Sequence, residues 1–108
     1  MAAKSNQMDK TELSRYFKAF GDLSRLTIME LLAHKDLTVG EITSKVNLTQ
    51  SAVSRHLGIL RAAEVVRATR DGQNVIYQLN KDKVCVCCSD LCDGLKVTPL
   101  LKGKTSKK

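Results

Sequence analysis

Tryptophan is absent from this chain of 108 residues, proline occurs once, and no cysteine precedes position 85. No apolar run approaches the ~18 residues needed to cross a bilayer. The opening stretch MAAKSNQMDK does not have the make-up of a secretory signal. Membrane-spanning, collagen-like and secreted disulfide-scaffold classes are therefore excluded, and a cytoplasmic location is expected. The length allows one small domain. Acidic residues are missing from positions 96–108, which hold Lys96, Lys102, Lys104, Lys107 and Lys108, so most of the net charge of +7 sits there. A basic chain suits a polyanion, because lysine and arginine release counterions from phosphates. A lysine-rich end alone, however, is also what a solvated terminus looks like.

Helical and strand periods divide the rest. Residues 1–10 read as a loose, flexible N-terminus and 96–108 as a flexible basic tail, leaving 11–95 as the folded domain. From Thr11, apolar residues recur at Leu13, Tyr16, Phe17 and Phe20, one face of a helix that Gly21 closes. Asp22 can cap the next helix, in which Leu23, Leu26, Ile28, Met29, Leu31 and Leu32 read as core. Thr38-Val39-Gly40-Glu41 is a capping box opening a short helix with Val39, Ile42 and Val46. Asn47-Leu48 reads as a tight turn and Thr49 as the N-cap of a helix over 50–62. Two helices so closely joined predict a helix-turn-helix. Val65–Thr69 and Val75–Leu79 read as strands joined through Arg70-Asp71-Gly72-Gln73-Asn74, whose Asp-Gly pair favours a hairpin. Asn80 can cap a last helix through about Leu95. The class predicted is mainly α with a β-hairpin wing.

The 50–62 helix carries the most information. Val53, Leu57 and Leu60 anchor one side, while Ser51, Ser54, Arg55 and Gly58 fall opposite, at i, i+3, i+4 and i+7. Small polar side chains with one long cation suit a helix whose backbone approaches base edges in a major groove. Gln50 can pair bidentately with adenine and Arg55 with guanine, and the Thr49-capped N-terminus offers amides to a phosphate. His56, beside the apolar face, fits a structural histidine or a phosphate donor better than a metal ligand. Arg67, Arg70 and Gln73 suit a wing touching the DNA backbone or minor groove.

These stretches resemble a known family. Phe17-Lys18-Ala19-Phe20-Gly21-Asp22-Leu23-Ser24-Arg25-Leu26, followed by Ile28-Met29-Glu30-Leu31-Leu32, is similar to the opening signature of the ArsR/SmtB family of metal-responsive repressors, with Leu23 where proline is usual. Thr38-Val39-Gly40-Glu41-Ile42 with Thr49-Gln50-Ser51-Ala52-Val53-Ser54-Arg55-His56-Leu57 resembles its helix-turn-helix, and Arg70-Asp71-Gly72 with Val75–Leu79 its wing. The similarity covers about residues 12–80. It implies a winged helix-turn-helix, homodimeric through its first and last helices, which represses from double-stranded operator DNA until an ion binds.

The inducer is read from sulfur. Cys85, Cys87, Cys88 and Cys92 fall within eight residues. Clustered thiols without a secretion signal suggest a soft metal, a metalloid or redox chemistry. The family's sites elsewhere are not matched: Asp36–Glu41 holds no cysteine, and His34 and His56 lie outside the last helix, so a zinc or nickel site of that kind is not expected. Sulfur-only ligation favours As(III) or Sb(III), with Cd(II) or Pb(II) as the alternative. Three sulfurs around one small ion must lie within ~4 Å of each other, whereas Cys85 and Cys92 of a regular helix stand ~10 Å apart along its axis. The helix must therefore unwind, or sulfurs must come from both subunits. Val84, Cys88, Leu91 and Leu95 suit a dimer seam, and distorting it would alter the ~34 Å separation of recognition helices that DNA requires. A thiol redox sensor using Cys87, Cys88 or Cys92 is the alternative of another class. With no positioned histidine base and no Gly-rich phosphate loop, an enzyme acting on a small organic substrate is not expected.

Overall fold

The computed structural model describes residues 9–98. Five helices and three short strands follow in the order α1 (Lys10–Phe20), α2 (Leu23–His34), β1 (Leu37–Thr38), α3 (Val39–Lys45), α4 (Gln50–Ala62), β2 (Val66–Asp71), β3 (Asn74–Leu79) and α5 (Lys81–Leu95). Local chemistry places most of the boundaries. Asp22, Thr38, Thr49 and Asn80 each accept a hydrogen bond from a backbone amide three residues on, satisfying a donor that a helix start leaves open. At α3 the capping box is complete, because Glu41 Oε1 accepts in return from the Thr38 amide at 2.9 Å. These bonds hold the Asp22 and Glu41 carboxyls below the usual carboxylate range.

α1 begins one residue earlier than expected, at Lys10, because Asp9 accepts from the Glu12 amide and caps it. The rest of the expected loose N-terminus, residues 1–8, lies outside the described residues, as do residues 99–108 of the expected tail.

The sheet is antiparallel in the order β1-β3-β2, so the predicted hairpin has a third strand. β1 pairs Leu37 with Tyr77 and Thr38 with Ile76. The hairpin itself starts at Val66 rather than Val65, and its last rung joins Asp71 to Asn74. Its turn is therefore Gly72-Gln73, with glycine at the first central position in a left-handed conformation, φ 68°.

The core gathers Tyr16 and Ala19 from α1, Ile28, Met29 and Leu32 from α2, Ile42 from α3, and Val53, Leu57 and Leu60 from α4, closed by Val65, Val66 and Cys87. The expectation that all the apolar residues of α2 are core is corrected here. Leu23 is 82% exposed and Leu26 49%, because only the Ile28–Met29–Leu32 side faces α1, α4 and the sheet. None of the described helices is long and apolar enough to cross a membrane.

Candidate nucleic-acid interface and thiol stripe

α4 is anchored as its sequence predicts. Val53, Leu57 and Leu60 are fully buried, whereas Gln50, Ser51, Ser54, Arg55 and Gly58 are exposed on the other side. Nothing lies within 4 Å of where a Cβ would stand on Gly58, so the helix backbone is open to close approach. Thr49 is exposed and spends its hydroxyl on the Ala52 amide at 3.1 Å. The result is a smooth polar ridge bearing one free guanidinium, of a shape and chemistry that fit a major groove.

His56 is half-buried, and its Nδ1 stands 3.2 Å from Nη1 of Arg25, a residue that sequence reading did not single out. The three wing residues divide. Arg70 and Gln73 are exposed at and beside the turn, Arg70 opposite Val75. Arg67 lies opposite Gln78, three rungs further from the turn, and an odd separation along the strand turns it to the other face from Arg70. It lines a groove with Arg61, Glu64 and Asn80 at the base of the wing. The structure therefore brings Arg70 and Gln73 together at the tip and leaves Arg67 apart.

The cysteines also separate. Cys87 is fully buried, with α1 and the core, and burial pushes its thiol above the ordinary range. Cys85 and Cys88 are exposed and Cys92 is half-exposed. Spacings of three and four put these three on one side of α5, away from Cys87. Cys87 thus serves as a small buried hydrophobe, whereas Cys88 stays on the exposed side. Leu95, 62% exposed, continues the thiol side of the helix. Because α5 is unbroken from Lys81 to Leu95, Cys85 and Cys92 stay ~10 Å apart along its axis. Among the described residues no group of three or more His, Cys, Asp or Glu side chains is placed to hold a metal ion. A single copy with α5 intact does not fit a three-sulfur ion.

α5 is tied to the rest at its first turn. Asn80 donates its amide to the Val65 carbonyl at 2.8 Å and Nδ2 to the Glu64 carbonyl at 3.0 Å. Lys83 stands over the Tyr16 ring, 5.3 Å from its centre. The Tyr16 hydroxyl first, and the Glu64 carboxylate after it, raise the Lys83 pKa.

Helix-turn-helix, wing and exposed recognition face together define a winged-helix DNA-binding protein. The bacterial regulatory protein family named for arsR matches residues 22–68, from the α2 cap through α4 into β2. The transcriptional repressor SdpR of Bacillus subtilis is 40% identical over 68 residues, covering 63% of this chain and 76% of that protein. The transcriptional repressor SmtB homolog of Synechocystis is 34% identical over 85 residues, covering 79% of this chain and 64% of that protein. The crystal structure of NolR from Sinorhizobium fredii superposes with a TM-score of 0.66 at 31% identity, over 82% of this chain and 88% of that one. This chain belongs to the ArsR family. It is a DNA-binding regulator of transcription.

Proposed function

We propose that this regulator is a repressor that grips double-stranded operator DNA as a homodimer and lets go when a thiophilic ion, As(III) or Sb(III), is captured by cysteines of α5. The observation that carries the reading is the placement of Cys85, Cys88 and Cys92 on one solvent-facing side of α5, with Cys87 withdrawn into the core. Two of the relatives above carry the name repressor, which supports that direction of control. Ser51, Ser54 and Arg55, flanked by Thr49 and Gln50, read base edges, while Arg70 and Gln73 steady the wing on the backbone.

Sulfur-only ligands select soft ions, and one unbroken helix offers an ion two neighbouring thiols at most. The third comes from the partner copy or from unwinding of α5. Either demand opposes the arrangement that holds two α4 helices at successive major grooves, so ion and operator exclude one another through reciprocal coupling of ~1–3 kcal/mol or more. Cd(II) and Pb(II) share this chemistry and form the alternative within the same architecture.

The test is an operator mobility shift titrated in parallel with arsenite, antimonite, cadmium, lead and zinc, under reducing conditions. Release by arsenite or antimonite at the lowest concentration supports the reading. Release by diamide or peroxide with no ion present transfers it to a thiol redox sensor. Calorimetry showing that none of the thiophilic ions binds the reduced protein refutes it.

A further inference from the structure

The recognition helix is held by a side chain outside it. Arg25, in the first turn of α2, has a side chain only 14% exposed. Its Nε donates to the Ala19 carbonyl at 2.8 Å and its Nη2 to the Lys18 carbonyl at 3.4 Å, both at the end of α1. Its Nη1 reaches His56 Nδ1 in the middle of α4 at 3.2 Å. Asp22 braces the other side: Oδ1 caps the Arg25 amide at 3.2 Å, and Oδ2 lies 3.9 Å from Nη1. One guanidinium thus links α1, α2 and α4.

The chemistry of this link is one-directional. A guanidinium has five N–H donors, no acceptor, and does not lose its proton. His56 Nδ1 must accept, so the proton of the neutral ring sits on Nε2.

We propose that Arg25 is a positioning residue for operator recognition, fixing the roll of α4 through His56 and doing so only while His56 is neutral. The proposal rests on the reading of α4 as the DNA-contacting helix and extends it. Val53, Leu57 and Leu60 press α4 onto the core without direction, since apolar contact is non-directional. The Arg25–His56 bond adds a directed constraint one residue from Arg55, whose aim decides which base edge it meets. Protonation of His56 removes the acceptor and sets two cations against each other. Around the ring stand Arg25 and Asp22 from α2, with Arg15 and Lys18 of α1 lining the groove beside Arg25, and Arg55 preceding it on α4.

The test measures affinity for an operator duplex, recovered by selection from a random pool, from pH 7.5 to 5.5 at constant ionic strength. Circular dichroism verifies that the protein is folded at each pH. Wild-type affinity should fall about three- to tenfold on acidification, the scale of one lost hydrogen bond. In His56→Asn the amide oxygen takes the place of Nδ1 and does not titrate, so the ratio of affinities at the two pH values should collapse toward one. His34→Gln should keep the wild-type profile, because His34 is exposed at the far end of α2. Arg25→Lys, with a point charge in place of the fork, should bind more weakly at pH 7.5 without a changed salt slope. If it fails to fold, wild type and His56→Asn decide alone. A wild-type affinity that rises in acid, or an unchanged profile in His56→Asn, overturns the proposal. Failure of the wild type to select any duplex strikes instead at the DNA reading beneath it.

Discussion

The Lys83 ammonium of α5 lies 3.3 Å from the Glu64 carboxylate, just beyond the end of α4. Glu64 also receives Asn80 Nδ2 on its carbonyl. The thiol-bearing helix and the helix proposed to read DNA therefore meet at one residue, and that residue has left-handed backbone, φ 65°.

Replacing Glu64 separates its backbone from its charge. A left-handed conformation costs a non-glycine residue about 1–2 kcal/mol, and an ion pair with an exposed carboxylate returns ~1 kcal/mol or less after solvent screening. Glu64→Gly should therefore be neutral or more stable by up to about 1 kcal/mol in urea unfolding. Glu64→Val should lose about 2 kcal/mol, since it keeps the strain, adds a β-branch and gives up the pair. A Glu64→Val protein as stable as wild type would contradict this account of the α4–β2 corner.

Gly58 offers a test in which stability and binding move apart. It sits inside α4 with open space around it, so Gly58→Ala should stabilise the fold by about 0.5–1 kcal/mol. The added methyl stands on the face proposed to approach DNA, and operator affinity should fall. Higher stability with undiminished affinity would show that this face stays clear of the groove.

Arg55 and Arg67 should differ in kind. Arg55→Ala is expected to cost about 1–3 kcal/mol of operator binding and to relax sequence preference at one position, with the melting temperature unchanged. Arg67→Ala, at the base of the wing, should leave sequence preference alone and alter the salt slope by at most about one. Selection experiments with the two variants compare them directly, and matching specificity profiles would refute the assignment.

The four thiols should fall into two groups. With the native protein, an aromatic disulfide reagent should modify Cys85, Cys88 and Cys92 quickly and Cys87 only as the chain unfolds. Cys87→Ser buries a hydroxyl in an apolar site and should cost about 1–3 kcal/mol, whereas Ser at the other three should leave stability nearly unchanged and abolish ion-induced release. The pH dependence has a definite sign. The Cys87 pKa is raised on folding, so its neutral thiol stabilises the fold fully below its ordinary value of 9.0, and that contribution is lost as the pH climbs beyond it. Cys87→Ala should flatten this alkaline decline in an unfolding series from pH 8 to 10.5.

What was legible in the sequence was local. The caps at Asp22, Thr38, Thr49 and Asn80 are written in side chains three residues from the amides they meet, and the 3.6-residue period of α4 separates its two faces without outside help. β1 was not legible, because two residues have no period and become a strand only by pairing with Tyr77 and Ile76. The exposure of Leu23 and Leu26 was hidden for another reason: a helix apolar around most of its circumference does not announce which side is covered. The phase of α5 depends on packing against α1, so that Cys87 rather than Cys88 turns inward is decided some 70 residues away along the chain, at Tyr16 and its neighbours. Arg25 stood within a matched motif, yet its meeting with His56 spans 31 positions and carries no sequence period.

Thr38 is at once the last residue of β1 and the N-cap of α3, so no slack separates the wing's third strand from the helix-turn-helix. The winged head therefore has no internal hinge at that joint, and the two grips proposed for it on a duplex would behave like jaws cast in one piece. Under the proposed function, an inducer held on α5 would lever the whole head rather than fold the wing aside, with its purchase on the far side of the Asn80 corner.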